Sequence, residues 1–434
     1  MHVRRAGRGR VRVRLAVAII AATPLFGPRL SAQQTHSGSP PTDFAPHWTL
    51  GAMAIGVVTH AAPAALGRSV TEGYLTQPML LAGLQLAGGA LQALASVNLE
   101  GTTLRRGEIN PGIYGEGYID RRHPHTYLHE AMIGGLLHAG PARLSLFGGK
   151  GVVPFGTDDP MTRPFAKYPV NHHLAQVIER VLLVAALSAG PAAVEMARFN
   201  GDEPEGPADW PNSGRAFDSW SVRITARTPV GIETSVSRAR VESPEFATGQ
   251  GLDQDKSSAS ARFQREAGIV RYAMAEWGRT RERERNGRTA FTFSSLLAET
   301  SVAVRGLHLS ARVERSERPE EDRLDDPYRS VRPLLDFNVL GRTRWEIVTV
   351  AVATPSLRRG WLSAAPFVEG AWLRPQALAR PAAFDPHVFY DAKQLWSWSA
   401  GVRVEGGTMR RRFGRYGAAL AAGPGHGSPV RSSQ

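Results

Sequence analysis

Two histidine-rich segments hold the side chains best suited to chemistry. The residues are His123, His125, His129, Glu130, His172 and His173. Imidazoles beside the thioether of Met161 would suit copper or zinc better than calcium. If 125–137 is a strand, His125 and His129 lie about 13 Å apart by the strand rise, too far to share one ion. Metal binding therefore needs both segments together. The alternative is that these side chains form hydrogen bonds that fold loops inward.

A second possible chemistry is nucleophilic catalysis. Ser145 could pair with His129 as its base, and Glu130 could orient the imidazole. The chain has no Gly-x-Ser-x-Gly elbow, phosphate loop, dinucleotide fingerprint or His-Glu-x-x-His motif. The sequence therefore predicts that the protein is not an enzyme, with an outer-membrane lipid hydrolase as the alternative.

The segments that must position these residues alternate apolar and polar side chains with a period of two residues. From Trp220, apolar Val222, Ile224 and Ala226 alternate with polar or charged neighbours such as Arg223. Side chains on a strand point alternately to opposite faces, so each segment has one apolar and one polar face. Repeated along a chain, this alternation is typical of a transmembrane β-barrel.

Seventeen segments fit this description. We predict strands at 48–58, 78–87, 89–99, 125–137, 142–150, 174–187, 191–199, 217–227, 230–239, 257–266, 268–278, 289–303, 306–315, 332–340, 343–354, 361–373 and 395–405. Short Gly- or Pro-containing turns alternate with long polar loops, as in barrels with short periplasmic turns and long extracellular loops. The fold class predicted is all-β, a transmembrane antiparallel up-and-down barrel of 14–16 strands. The segment 48–58 could precede the barrel, and 408–420 could be a further strand or a free tail.

The N-terminal residues resemble an export signal. Six arginines from Arg4 to Arg14 precede an apolar run, and small residues end at Ala32. The formal charge is +13, but seven arginines lie in residues 1–32, which contain no acid, so the rest of the chain carries about +6. No basic stretch is interleaved with aromatics, so nucleic-acid binding is not predicted. Cysteine is absent, which excludes disulfides and thiol chemistry.

Two other fold classes fit less well. The first is a helical membrane protein. Residues 78–97 carry no charge over 20 positions, which is the length of a membrane helix, but Gly88-Gly89 interrupts them like a turn. The segment 174–187 has partial helical spacing, with Glu179 and Arg180 inside it. A soluble β-sandwich would also alternate but rarely needs so many hairpins.

The polar faces of the strands predict a lumen lined by arginine and glutamate. The predicted lumen or selectivity residues are Arg143, Arg223, Glu233, Arg262, Glu266, Arg271, Arg312, Glu314, Arg344, Glu346, Arg403 and Glu405. The arginine surplus would favour anions. The alternative is that arginines and glutamates on neighbouring strands pair and brace the wall. The opposite faces are predicted to contact lipid, including Leu144, Leu146, Trp345 and Ile347, and tryptophans such as Trp396 suggest interfacial girdles.

Several motifs resemble a family of uncharacterised bacterial outer-membrane, porin-like β-barrel proteins. They are Asp120-Arg121 with His123-Pro124-His125, Met161 to Pro164, His172-His173, and Phe199-Asn200-Gly201-Asp202-Glu203-Pro204. The resemblance covers roughly residues 115–245. It implies the fold and the outer-membrane location of a Gram-negative bacterium, and it assigns no substrate.

Together these observations predict a porin-like barrel for passive passage of small solutes. The predicted domains are a signal peptide at 1–32, a flexible periplasmic lead-in at 33–46, the barrel at 47–420 and a disordered tail at 421–434. We expect the loop 151–173 to narrow the lumen. The expected partners are outer-membrane lipid and small solutes, and no cofactor is required. The alternative function is handling of copper-like metal ions by the histidine cluster.

Overall fold

The computed structural model describes residues 46–64, 67–104, 108–109, 121–122, 125–157, 160–204, 206–321, 339–378, 384–409 and 412–422. Nineteen strands and two short α-helices lie within them. The strands are β1 (His47–Ala62), β2 (Val70–Leu86), β3 (Leu91–Asn98), β4 (Glu108–Ile109), β5 (Arg121–Arg122), β6 (Leu128–Ala139), β7 (Ala142–Gly151), β8 (Arg180–Ala189), β9 (Ala192–Phe199), β10 (Ser219–Arg227), β11 (Ile232–Val241), β12 (Asp253–Gln264), β13 (Val270–Arg283), β14 (Thr289–Val304), β15 (Leu307–Glu321), β16 (Val339–Ala353), β17 (Leu357–Arg359), β18 (Leu362–Ala377) and β19 (Leu395–Gly407). The helices are α1 (His172–Ala175) and α2 (Pro386–Phe389).

Sixteen of these described strands form one closed antiparallel wall. The wall consists of β1–β3, β6–β16, β18 and β19, each paired with the next along the chain. It closes where β1 pairs with β19, from Gly51 opposite Gly407 to Ala62 opposite Trp396. Closure leaves no unpaired edge strand. The predicted all-β antiparallel barrel is therefore confirmed with 16 strands, and the strand predicted at 48–58 belongs to the wall.

The connections differ at the two ends of the barrel. The turn rim holds the connections 87–90, 140–141, 190–191, 228–231, 265–269, 305–306 and 354–361. At the other end, the long-loop rim, lie the strand ends that are joined by the remaining connections: β1 to β2, β3 to β6, β7 to β8, β9 to β10, β11 to β12, β13 to β14, β15 to β16 and β18 to β19. In the two-residue turns, Gly140 and Gly190 have φ values of 58° and 55°, a conformation that tight hairpins need and that glycine adopts readily. The chain enters β1 and leaves β19 at the turn rim.

Burial alternates along the strands as the sequence pattern predicts. On β9, Ala193, Glu195 and Ala197 are buried, whereas Val194 and Met196 are 39% and 57% exposed. Similar outward apolar side chains encircle the wall, including Ile133, Leu144, Leu146, Leu183, Leu187, Ile224, Val236, Leu296, Val313, Val350 and Val368. So many exposed apolar side chains on one closed surface are typical of a barrel that faces lipid.

The interior is packed rather than open along its whole length. We call residues 152–178, described except for 158 and 159, the inner segment, and residues 412–422 the C-terminal segment. Val153, Phe155 and Tyr416 from these segments pack in one buried cluster with Phe147 and Leu182 of the wall. The apolar core of the protein therefore lies inside the barrel.

Several boundary predictions were wrong for identifiable reasons. The strand predicted at 78–87 begins earlier, because β2 starts at Val70. The turn predicted at Gly88-Gly89 is confirmed, since both glycines take positive φ and reverse the chain. Residues 174–179 are not part of a strand, because 174–178 belong to the inner segment and β8 begins at Arg180. The residues after β19 form neither another wall strand nor, as far as 412–422 are described, a free tail, because they turn into the interior. No helix in the described ranges is long and apolar enough to cross a membrane.

Trp345 and Ile347 were predicted to face lipid, and this prediction was wrong. Trp345 is fully buried, and its ring lies 5.6 Å from that of Tyr390, centroid to centroid. Ile347 is 4% exposed, in the same cluster. Phe389 and Tyr390, which precede β19, cover this part of the inner face, so the face carries apolar side chains there.

The predicted terminal segments lie largely outside the described residues. This applies to the signal peptide at 1–32, the lead-in apart from Pro46, and the tail after Ala422. Ala421 and Ala422 end a 3-10 helical stretch, Gly417–Ala422. The strand predicted at 332–340 lies outside the described residues except for Val339 and Leu340, the first two residues of β16.

Candidate functional site in the barrel lumen

The inner segment is held by charged side chains of the wall. The Glu369 carboxylate accepts hydrogen bonds from the backbone N–H groups of Ala166 and Lys167 at 2.8 and 3.2 Å. Glu314 accepts one from the N–H of Val170 at 2.9 Å. These carboxylates satisfy buried backbone donors that would otherwise be costly in the interior.

Wall arginines bind the carbonyl groups of the same segment. The Arg312 guanidinium donates to the Lys167 carbonyl at 2.8 and 3.1 Å and lies over the Phe165 ring. Arg403 donates to the Phe165 carbonyl at 2.9 Å. Acids that accept from N–H groups and arginines that donate to carbonyls therefore fix the path of the inner segment across the lumen.

The C-terminal segment is docked at the turn-rim side by a second set of ion pairs. Arg223 and Glu195 form a bidentate pair at 2.6 and 2.7 Å, and Arg415 joins Glu195 at 3.1 Å. Glu233 accepts from Arg415 at 3.1 Å and from Arg412 at 2.6 and 2.9 Å. Two wall carboxylates are thus shared among several arginines, which fits their complete or nearly complete burial.

Arg415 remains a cation in this cluster. Burial and the neighbouring positive charge of Arg223 lower the pKa of Arg415 to about 10 against the attraction of Glu195 and Glu233. The guanidinium is therefore charged at neutral pH, and its pairing with the two carboxylates is maintained there.

Tyr416 connects the two segments. Its hydroxyl donates to Glu130 at 2.7 Å and accepts from the N–H of Val152 at 3.0 Å. Nearby, Gly417 lies so close to the wall that a Cβ at this position would come within 2.4 Å of Ser145. The lumen is therefore narrowed from the long-loop rim and from the turn rim by segments that meet inside it.

Eight of the twelve predicted lumen residues lie on the inner face. They are Arg143, Arg223, Glu233, Arg262, Arg312, Glu314, Arg403 and Glu405. Most of these residues whose side chains form a described hydrogen bond or ion pair bind the inner segment or the C-terminal segment. Pairing between neighbouring strands, the alternative to ion selectivity, also occurs: Arg223 pairs with Glu195 and Arg312 with Glu299. Holding the two segments is a use of these charges that neither interpretation included. A role of these residues in selectivity stays a prediction.

Four predicted lumen residues lie elsewhere. Arg344 and Glu346 alternate with buried Trp345 and Ile347, so they lie on the outer face, where Arg344 pairs with Glu317 at 2.6 Å. Glu266 is exposed in the turn 265–269. Arg271 lies at a β-bulge, where the alternation of faces is interrupted.

The predicted histidine cluster does assemble. The ring centroids of His125 and His129 are 5.1 Å apart, and those of His125 and His172 are 6.1 Å apart. The predicted separation of about 13 Å was wrong because β6 begins at Leu128, so His125 is not on a strand. His173 packs against His172, with centroids 5.1 Å apart, and His123 lies outside the described residues.

Acidic side chains accompany these histidines. His125 Nδ1 lies 2.8 Å from the Glu100 carboxylate, and His129 Nδ1 lies 3.1 Å from Glu179. Burial raises the pKa of Glu179, but the hydrogen bond with His129 and the charges of His125, His129 and Lys150 outweigh it and hold the pKa well below its usual value. Glu179 is therefore ionised. No group of three or more histidine, aspartate or glutamate side chains within the described ranges is arranged to hold a metal ion. Copper or zinc binding stays a prediction.

The sequence reasoning missed Glu100 and Glu369 and did not assign Glu179 to the site. A signal existed for two of them. Glu100 is the sole charged residue in 73–104, and Glu369 is the sole charged residue in 360–373. A lone acid in an apolar stretch is costly unless it has an interior partner, which these two have.

The proposed pair of Ser145 and His129 is not formed. Ser145 lies opposite Leu136 in the β6–β7 register, and His129 is seven residues farther along β6, about 23 Å away by the strand rise. The Ser145 hydroxyl accepts from the N–H of Ala418 at 2.9 Å, and Glu130 binds Tyr416. The catalytic arrangement suggested from sequence was therefore wrong.

Solved porin structures have a similar fold. The anion-selective porin from Comamonas acidovorans aligns with a TM-score of 0.51 and 11% identity, over 83% of this chain and 100% of that chain. OprB of Pseudomonas putida aligns with a TM-score of 0.47 and 12% identity, over 84% and 94%. OmpF of Salmonella typhi aligns with a TM-score of 0.45 and 10% identity, over 82% and 97%. The first alignment shows a porin-like, outer-membrane type of β-barrel fold. No protein-family model and no curated protein sequence matches the chain.

Proposed function

We propose that the protein is an outer-membrane barrel that allows passive passage of small solutes through a narrow lumen lined by arginine and glutamate. The observation that carries the proposal is the inner segment, which the wall holds across the lumen through Glu369, Glu314 and Arg312. A fixed constriction inside a closed wall with an apolar exterior suits size-limited diffusion.

The proposed orientation follows from the two rims. Long loops face outward in outer-membrane barrels, and short turns face the periplasm. The C-terminal segment enters the lumen from the turn rim, so solutes would meet the inner segment first when coming from outside. The proposed solutes are small because two segments occupy part of the lumen.

Planar-bilayer recording tests this function. The purified protein should give discrete conductance steps, and the arginine surplus should produce a preference for chloride over potassium. Arg262 is half-buried on the inner face near the turn rim, so Arg262→Glu should shift the reversal potential toward cation preference. Arg344→Glu makes the same charge change on the outer face and should leave selectivity unchanged. Absence of conductance at every applied voltage would refute the proposal.

A further inference from the structure

A group of arginines lies on the outer surface of the wall. Arg238 and Arg240 on β11 and Arg279 and Arg281 on β13 form what we call the outer arginine patch. On both strands these positions alternate with buried residues such as Ala239 and Thr280, so their side chains point away from the lumen. These charges therefore lie outside the proposed solute pathway.

The strand register places the four arginines around one strand. Ser257 on β12 lies opposite Arg238 on one side and opposite Arg279 on the other. One step toward the long-loop rim, Asp255 lies between Arg240 and Arg281 in the same way. Neighbouring strands are about 4.8 Å apart, so the two arginines of each row are separated by about 10 Å at Cα. Their long side chains can reach a common group above β12.

The patch has more positive than negative charge. Asp255 is paired with Arg240 at 3.3 Å and with Arg283 at 2.7 Å. Arg240 also pairs with Asp253 and Glu242. Within the described part of the chain, Arg238, Arg279 and Arg281 form no ion pair with an acid. Three guanidinium groups are thus available for an anionic ligand.

The position of the patch on the barrel identifies the ligand. The next outward residues toward the turn rim are apolar: Val236 on β11 is 55% exposed, and Trp277 on β13 is 40% exposed. Arginine on a lipid-facing surface costs about 2–4 kcal/mol at the bilayer midplane and about 0–1 kcal/mol near the interface. Tryptophan beside arginine also suits an interface. The patch therefore lies where the apolar band ends, at the long-loop side.

We propose that the outer arginine patch binds the phosphate groups of a phosphorylated lipid in the leaflet at the long-loop rim. Guanidinium groups bind phosphate oxygens through two parallel hydrogen bonds, and the Ser257 hydroxyl between them can donate another. The acyl chains of such a lipid would lie along the apolar surface that includes Val236 and Trp277. This inference rests on the membrane location in the proposed function.

Lipid binding to the purified full-length protein tests the inference. Lipid A with two phosphates, its dephosphorylated form and inorganic phosphate would be titrated in uncharged detergent, and bound ligand would be counted by native mass spectrometry. Arg238→Gln/Arg279→Gln should weaken binding of diphosphorylated lipid A by at least about tenfold, since it removes two charge-assisted contacts. The control variant is Arg358→Gln/Arg359→Gln, which lacks two exposed arginines of β17 at the turn rim. This variant should bind lipid as tightly as the unmodified protein does.

Three results would overturn the inference. They are equal lipid binding by the patch variant and the control, equal binding of the dephosphorylated lipid, and binding of inorganic phosphate as tightly as of the lipid. Bilayer conductance is measured separately. A barrel that conducts but shows no specific lipid binding would refute lipid binding by the outer arginine patch and leave the proposed solute pathway standing. Specific lipid binding by a barrel without conductance refutes the solute pathway alone.

Discussion

Individual buried carboxylates organise the interior of this barrel. Glu179 accepts hydrogen bonds from the Thr126 backbone N–H at 2.8 Å and from the Thr126 hydroxyl at 2.9 Å, as well as contacting His129. Its backbone has a φ of 59°, unusual for a residue other than glycine. The local conformation is held by the contacts of its side chain, so this one position links the start of β8 to the histidine cluster.

Glu179→Gln should therefore destabilise the barrel by about 1–3 kcal/mol at neutral pH, the cost of removing a charged partner from a buried network. A lowered folded-state pKa adds stability above the unfolded-state value of 4.5, and this stability is lost as the pH falls through the lowered folded-state pKa. The difference in the free energy of unfolding between the unmodified protein and Glu179→Gln should therefore shrink as the pH falls below about 4.5. Urea unfolding midpoints followed by tryptophan fluorescence between pH 3 and 8 measure it. Glu346→Gln, on the outer face, should show no such trend, and a constant difference for Glu179→Gln would contradict the argument.

At the scale of elements, the wall and the two inner segments depend on different parts of the sequence. The wall follows from alternation and turns, whereas the inner segments are positioned by long-range contacts with the wall. Arg415 binds Glu195 across 220 residues and Glu233 across 182 residues. These segments can therefore be detached by mutation while the hydrogen-bonded wall stays closed.

Arg412→Glu/Arg415→Glu should displace the C-terminal segment and increase single-channel conductance. The change places acids against Glu195 and Glu233, and breaking buried charge pairs of this kind costs about 3–5 kcal/mol. Glu195 keeps Arg223 as its partner, so the wall should remain folded. The matched control is Arg358→Glu/Arg359→Glu at the exposed turn-rim strand β17. If the control and the double variant conduct equally, the C-terminal segment does not limit the pathway.

At the scale of the whole molecule, the alternation of polar and apolar residues along the strands was sufficient to predict a closed barrel. It also predicted the inner-face position of Arg223 and Arg312. It failed where polarity no longer distinguishes the faces. Near the long-loop rim the outer face leaves the apolar band, so Arg344 and Glu346 point outward, while Trp345 packs inside. The path of residues 412–422 could not be predicted, because it depends on ion pairs between distant residues and has no local period.

An arginine at the centre of the outer apolar band should show how far lipid contact supports the wall. Val350 on β16 is 54% exposed and lies opposite Ala311, within the outward apolar residues. Val350→Arg should destabilise the protein by about 2–4 kcal/mol in lipid vesicles. Urea unfolding in vesicles measures this loss, with Val350→Leu as the control. A loss below about 1 kcal/mol would place this position near an interface instead.

The location of residues 412–422 has a consequence for biogenesis. They follow β19, whose pairing with β1 is the seam of the cylinder, yet they end up enclosed by it. This stretch binds β9 and β11 through Glu195 and Glu233, away from the seam. Its docking would hold the adjoining β19 near the rest of the wall, so we expect this docking to favour closure of the seam.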